Sequence, residues 1–318
     1  MDMINVQNLK MYYKTQKGFV QAVEDVSFNI EKGEAMGLVG ESGCGKTTIG
    51  MCIMKLLASN AQILDGHIYF DNMDLVPKDE DEMRPIRWKG ISMIFQAAMN
   101  ALNPVIRIED QIIEAIVTHD DVTKREAQER VAKLYQLVGI DPARAREYPH
   151  EYSGGMKQRA VIAMALACDP KFIIADEPTT ALDVIVQDQI ITEIKKLQKK
   201  LHMTMMYISH DISVIAESCD RIAVMYAGNI AEYAEARSLF KHPLHPYTQG
   251  LMNSFPSIRG PRKKLISIPG EPPQLISPPS GCRFHPRCPR AKEICTQVIP
   301  EFKEYEEKHF AACHFAGG

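Results

Sequence analysis

Ala35-Met36-Gly37-Leu38-Val39-Gly40-Glu41-Ser42-Gly43-Cys44-Gly45-Lys46-Thr47 is the stretch on which the fold turns. A short apolar run, strand-like in length, enters a loop of three glycines. Beyond Lys46 the apolar residues fall at Ile49, Ile53, Met54 and Leu57, the spacing of one helix face. Strand, glycine loop and helix form the context that a phosphate-binding loop needs. Glycines let backbone N–H groups turn toward phosphate oxygens, and the helix contributes its positive end. A glycine turn that merely capped a helix would not require Lys46 and Thr47 in register. Lys46 is expected to pair with the β and γ phosphates of ATP and Thr47 to offer its hydroxyl to Mg2+. Gly40, Ser42, Gly43, Cys44, Gly45 and Thr48 line the same cradle.

Upstream, Ile4, Val6 and Leu9 alternate, and Ala22-Val23 and Val26 to Ile30 read as further strands, with a turn at Glu31-Lys32-Gly33. Downstream, helices are expected over 108–117, 124–138 and 154–167, separated by Gly139, Asp141-Pro142 and Tyr148-Pro149. Strands return at 172–175, 205–208 and 221–225, with a helix over 184–201, and Gly228-Asn229 signals a hairpin. These signals divide the chain into a nucleotide-binding core (1–96 and 168–237), an inserted helical subdomain (97–167) and a C-terminal extension (238–318). The extension begins Pro-rich, from Pro243 and Pro246 through Pro256 and Pro261 to Pro278 and Pro279, and reads as a tether outside the core.

Phe172-Ile173-Ile174-Ala175-Asp176-Glu177 is a buried-strand pattern ending in two carboxylates, which places them at the carboxyl edge of a sheet. Asp176 is expected to hold Mg2+ through water, and Glu177 to orient and deprotonate the attacking water. Gln96 and His210 also end apolar strands. An amide there can reach Mg2+ or the water, and a neutral imidazole can bond a γ-phosphate oxygen. Ser153-Gly154-Gly155, more than a hundred residues beyond the first loop, offers a hydroxyl and backbone N–H groups to a second phosphate. An ATP site shared between two chains is the expectation.

Composition bounds these readings. With 45% hydrophobic and 24% charged residues the chain is of the ordinary globular class. No apolar run approaches the roughly 18 uncharged residues of a membrane span. No signal peptide is visible at the start, so a cytoplasmic location is expected. A net charge of -3 gives no overall attraction to nucleic acid.

These motifs, in this order, resemble the ATP-binding subunits of ABC transporters over about residues 3–237. The resemblance implies a P-loop NTPase fold, α/β, with a RecA-like core, an antiparallel β subdomain and an inserted helical subdomain. It makes Tyr13 the residue that stacks on adenine (Tyr12 if the register slips), Gln96 the Q loop, Ser153-Gly154-Gly155 the signature, Ala181-Leu182-Asp183 the D loop and His210 the switch histidine. Two such subunits meet head to tail, the signature of one closing over ATP on the phosphate loop of the other, in a homodimer or a heterodimer. Met156, Asn100-Ala101-Leu102-Asn103-Pro104 and His245-Pro246-Tyr247-Thr248 are similar to the oligopeptide and dipeptide importer branch. Ala97-Ala98 departs from the acidic residue and proline usual after the Q-loop glutamine. The branch implies ATP hydrolysis coupled to peptide import, at the cytoplasmic face of the membrane. Its partners are two transmembrane permease subunits, a second ATP-binding subunit and an extracytoplasmic peptide-binding protein, with no nucleic acid. Nickel or another small solute is the alternative cargo, because specificity resides in the permeases and the binding protein. A soluble ABC ATPase of DNA repair or translation fits less well, because the insertion here is short and the nucleotide-binding unit single.

Cys282, Cys288, Cys295 and Cys313 cluster near the end, with five, six and seventeen residues between them. So short a segment needs a staple, since domains below about 40 residues rarely fold without metal, disulfide or partner. Reduced thiolates suit a 4Fe-4S cluster or zinc, and the wide spacing favours the cluster, which some members of the importer branch carry. The extension is expected to be independent of the phosphate loop, so that loss of Cys288 frees the tail and leaves ATP binding intact. Cys44, at a helix N-terminus, is expected to ionise and oxidise readily.

Overall fold

The computed structural model describes residues 1–96, 101–180, 182–254 and 268–317. Ala97-Ala98, Asn100, Ala181, Pro256 and Pro261 lie outside them. In chain order the elements are β1 (Asp2–Thr15), β2 (Gly18–Glu31), β3 (Ala35–Val39), α1 (Lys46–Met54), β4 (Ala61–Phe70), β5 (Met73–Asp74), α2 (Glu80–Met83) and β6 (Ile91–Ile94). Then follow α3 (Ile108–His119), α4 (Lys124–Leu137), α5 (Gly154–Ala165), β7 (Phe172–Asp176), α6 (Val184–Leu201), β8 (Thr204–Ser209), α7 (Ile212–Ser218), β9 (Arg221–Tyr226) and β10 (Asn229–Glu235). The chain closes with α8 (Ala236–Lys241), α9 (Pro246–Asn253), α10 (Glu293–Gln297), β11 (Lys303–Glu306) and β12 (His309–Ala311). No helix among the described residues is long and apolar enough to cross a membrane.

The chain folds as two compact units. One comprises Met1, Glu31–Ala35 and Pro77–Tyr207. Here β8, β7 and β6 lie side by side, and β6 runs parallel to β7 with Ile91 opposite Phe172 and Ile94 opposite Ala175. Every residue of β6 and β7 is buried, which is why both are mostly apolar, with Ser92 within β6 and Asp176 at the end of β7 as the polar exceptions. α3, α4 and α5 pack against one another, and Ile112, Ile116, Val131, Tyr135 and Ile162 on them are buried. α4 starts at a reciprocal capping box between Thr123 and Glu126.

The other unit comprises Asp2–Ile30, Met36–Val76 and Ile208–Gly318. It contains an antiparallel sheet of order β2-β1-β4-β5 and a run of strands β11-β12-β10-β9-β3, in which β3 and β9 are parallel. The hairpin between β9 and β10 turns one residue earlier than expected. Ala227 and Gly228 take the left-handed conformation at φ 47° and 89°, and Asn229 is already paired with Tyr226. The side chain of Asn229 donates instead to the Glu24 carbonyl at 2.8 Å.

One expectation for the extension is corrected. The Pro-rich segment after residue 237 is not simply a tether. It contains α8 and α9, and His245, Tyr247, Thr248 and Leu251 are buried. The tail also joins the sheet: β12 pairs antiparallel with β10, Glu232 opposite Ala311 and Tyr233 opposite Phe310. Beneath that pairing the fully buried Glu232 carboxylate accepts the N–H groups of Leu244 and His245, both at 2.8 Å, and stands 2.7 Å from His309 Nε2. Phe284 packs against the rings of Tyr226 and Tyr247, with centroids 5.1 and 5.4 Å away.

Candidate active site

The phosphate loop, in the unit that carries α1, is shaped by close backbone approach. A Cβ on Gly40 would collide with the Met225 carbonyl oxygen, and one on Gly45 with that of Ala22, so only glycine lets the loop lie where it does. Gly45 takes φ 106° as the cap of α1. Ser42, Gly43 and Thr47 are exposed, whereas Lys46 is buried. Lys46 Nζ donates to the carbonyl oxygens of Gly40 at 2.8 Å and Glu41 at 3.0 Å. A buried ammonium requires such partners, and phosphate oxygens would be stronger ones. Tyr13 Oη lies 3.3 Å from Thr48 Oγ1 on the first turn of α1, while the Tyr12 hydroxyl is bonded to Glu24. Tyr13 is therefore the tyrosine beside the loop.

The expectation for Cys44 is corrected. It is 5% exposed, and burial raises its thiol pKa despite the neighbouring Lys46 ammonium. A feature that local spacing does not signal is the environment of Glu41. Its backbone N–H donates to Tyr247 Oη at 3.0 Å, and its carboxylate is held by both terminal nitrogens of Arg287 at 2.6 and 2.9 Å. The partners are 246 residues apart, beyond any window that periodicity or motif spacing can read. The tail is thus not independent of the phosphate loop.

In the unit that carries β7, the parallel pairing of β6 and β7 brings both strand ends out together. Gln96 Nε2 donates to Glu177 Oε2 at 2.9 Å, and Thr180 Oγ1 donates to the same oxygen at 2.9 Å. Asp176 is 1% exposed, while Glu177 is half-buried and held at φ 46°, a left-handed backbone that costs a side chain of this size on the order of 1 kcal/mol or more. The turn thereby sends the two adjacent carboxylates into different surroundings. Ser153 is exposed as the N-cap of α5, its hydroxyl accepting from Met156 N–H at 3.4 Å, so Gly154 and Gly155 form the first turn of a twelve-residue helix. A Cβ on Gly155 would stand 2.9 Å from Val186 Cγ1 on α6, whose N-cap is Asp183. Gly155 and the start of α6 are packed against each other. Met156 Sδ lies 3.1 Å from Arg144 Nη1. His210 belongs to the other unit and is exposed just past the end of β8, which is buried along its whole length.

Cys282, Cys288, Cys295 and Cys313 do converge, with His285 and His314, on one cavity. No group of three or more His, Cys, Asp or Glu residues among those described is arranged to hold a metal ion. The expected cluster or zinc staple is therefore not supported. His285 Nδ1 and His314 Nε2 face backbone carbonyls, of Cys282 and Val298 respectively. Burial pushes the Cys282 thiol up to about 11 and raises those of Cys288 and Cys313.

Comparison with known proteins places this geometry. The family described as ABC transporter matches residues 23–180, and that described as oligopeptide/dipeptide transporter, C-terminal region, matches residues 231–295. The dipeptide transport ATP-binding protein DppD of Bacillus subtilis (strain 168) is 47% identical, over 98% of this chain and 93% of its own length. The oligopeptide transport ATP-binding protein OppD of Escherichia coli (strain K12) is 43% identical, over 98% of this chain and 92% of its own. Among solved structures, the dimeric ATP-binding cassette MJ0796 in a post-hydrolysis state bound to ADP and Pi matches with a TM-score of 0.66 and 29% identity, over 74% of this chain and 99% of that one. The chain belongs to the family of ATP-binding, ATP-hydrolysing subunits of oligopeptide and dipeptide ABC importers.

Proposed function

We propose that this chain powers the uptake of dipeptides or oligopeptides from the cytoplasmic face of the membrane. It works with two permease subunits, a second ATP-binding subunit and an extracytoplasmic peptide-binding protein. The observation that carries the chemistry is the Gln96–Glu177 hydrogen bond at the ends of two parallel buried strands. It holds the Glu177 carboxylate in place at the end of β7 and ties it to a side chain at the edge of the helical insertion. Lys46 exchanges its loop carbonyls for the β- and γ-phosphate oxygens of ATP, and the N–H groups from Gly43 to Thr48 hold the phosphates. Tyr13 stacks on the adenine. Thr47, Gln96 and, through water, Asp176 are the groups that would hold Mg2+, which when bound neutralises charge on the phosphates. Glu177 orients the attacking water and accepts its proton, and His210 bonds a γ-phosphate oxygen.

Ser153, Gly154 and Gly155 serve the nucleotide of a second subunit in a head-to-tail pair, with Asp183 at the same face. ATP then stabilises the closed pair more than the open one, and its hydrolysis shifts that equilibrium. The alternative of a nickel or other small-solute cargo differs only in the partners. Co-expression with dipeptide permeases and reconstitution in proteoliposomes tests the reading. ATP hydrolysis stimulated by peptide-loaded binding protein is expected, and hydrolysis that responds to loaded nickel-binding protein instead would overturn it. A 4Fe-4S cluster or zinc in the tail has in its favour the cysteine spacing, the shared cavity and the resemblance to the importer branch. Iron, sulfide and zinc analysis of anaerobically purified protein decides it.

A further inference from the structure

We infer that Arg287 is a positioning residue for nucleotide binding, through which the C-terminal tail sets the affinity of the phosphate loop. The inference rests on the reading of residues 40–47 as the nucleotide cradle. Glu41 introduces a carboxylate into a loop whose task is to receive an anion, and such a charge repels phosphate at close range. Arg287 removes that penalty with a bidentate pair at 2.6 and 2.9 Å. The guanidinium is itself locked. It is 5% exposed along its side chain, its Nε donates to the Pro269 carbonyl at 2.8 Å, its Nη1 lies 3.3 Å from Tyr226 Oη, and it sits over the Tyr226 ring. Tyr247, on α9, takes the Glu41 N–H at 3.0 Å, and the Glu41 carbonyl receives Lys46 Nζ. Every polar group of Glu41 is thus used, two by residues after 240 and one by the lysine that is to meet phosphate. Arg287 immediately precedes Cys288, one of the four cysteines on the shared cavity, so any displacement of that segment acts on the pair.

The test measures equilibrium binding of a fluorescent ATP analogue to the full chain, with turnover in the assembled complex. Arg287→Gln leaves Glu41 uncompensated. Its Kd should rise about tenfold, the order expected for one charge at about 10 Å in a partly solvated loop. Its kcat at saturating ATP should be retained, and Arg287→Lys, which keeps the charge, should lie between it and wild type. The discriminating variant is Arg287→Gln combined with Glu41→Gln. Removing the repelling carboxylate should return the Kd to within about threefold of wild type, because the penalty is electrostatic. A merely structural role predicts no such rescue. Wild-type affinity in Arg287→Gln, or a double variant no better than the single, overturns the inference. Should Arg287→Gln fail to fold, Glu41→Gln alone must bind ATP at least as tightly as wild type, and a tenfold loss there overturns it. Lys46→Ala is the control for the underlying reading. If that variant still binds the analogue normally, the assignment of the cradle fails, irrespective of Arg287.

Discussion

At the scale of single residues, the site depends on groups that are already engaged before nucleotide arrives. Glu177 accepts two hydrogen bonds on one oxygen, from Gln96 and Thr180, and its backbone is held left-handed. Glutamine in its place can accept both bonds through its amide oxygen and carries no greater backbone cost. The substitution therefore isolates the basicity of the carboxylate from its position. Glu177→Gln should lower turnover by about 100-fold or more, the usual worth of a general base, while ATP affinity stays within a few fold of wild type. Single-turnover hydrolysis beside analogue binding measures both, and a variant that hydrolyses normally removes Glu177 from the role. Cys44 shows how a local signal misleads. A helix N-terminus and an adjacent lysine both favour thiolate, but they act on a sulfur cut off from water, and desolvation is the larger effect.

At the scale of elements, what the sequence disclosed depended on whether the determinants were local. α6 is legible over Val184–Leu201 because its stop and start are side-chain and backbone features of the chain itself. Asp183 caps it through Val186 N–H, His202 closes it at φ 51°, and Ile190, Ile191, Ile194 and Leu197 form its buried face. The phosphate loop and the β7 carboxylates are legible for the same reason. The turn at Ala227-Gly228 is not, because neighbours set it: a Cβ on Gly228 would meet Gln21 O and Arg283 Nη1, both at 2.8 Å. The docking of β12 on β10 is likewise hidden in the sequence, since it depends on Glu232 and His309, 77 residues apart. That pair provides a prediction. Oε1 of Glu232 accepts from Leu244 N–H and faces His309, while Oε2 accepts from His245 N–H. In Glu232→Gln, one of these positions becomes an NH2 group pointed at another donor. Leaving buried donors unsatisfied should cost about 1–3 kcal/mol in urea denaturation and increase protease cleavage around β11 and β12. An unchanged midpoint with an unchanged digest would show that the carboxylate does not latch the tail.

At the scale of the whole molecule, the same buried region makes stability depend on pH. His245 is 3% exposed, caps α9 by accepting Tyr247 N–H on Nδ1 at 3.0 Å, and is pushed down to about 4 by burial. The Glu232 carboxylate opposes the shift and Arg290 adds to it, but loss of hydration dominates. Above the ordinary histidine value near 6.5, His245 is neutral in folded and unfolded chains alike and contributes no pH dependence. Between about 6.5 and about 4 the unfolded chain binds a proton that the folded chain refuses, so stability is lost as pH falls through that window. The slope is roughly 1.4 kcal/mol per pH unit for one such group. His245→Asn retains a side-chain oxygen able to cap α9 and does not titrate in the window. The stability advantage of wild type over His245→Asn, from urea midpoints at matched ionic strength, should therefore shrink by about 2 kcal/mol between pH 7 and pH 5. Parallel pH profiles for the two proteins would mean that His245 is protonated in the folded state, and that the region beneath β12 is open to water.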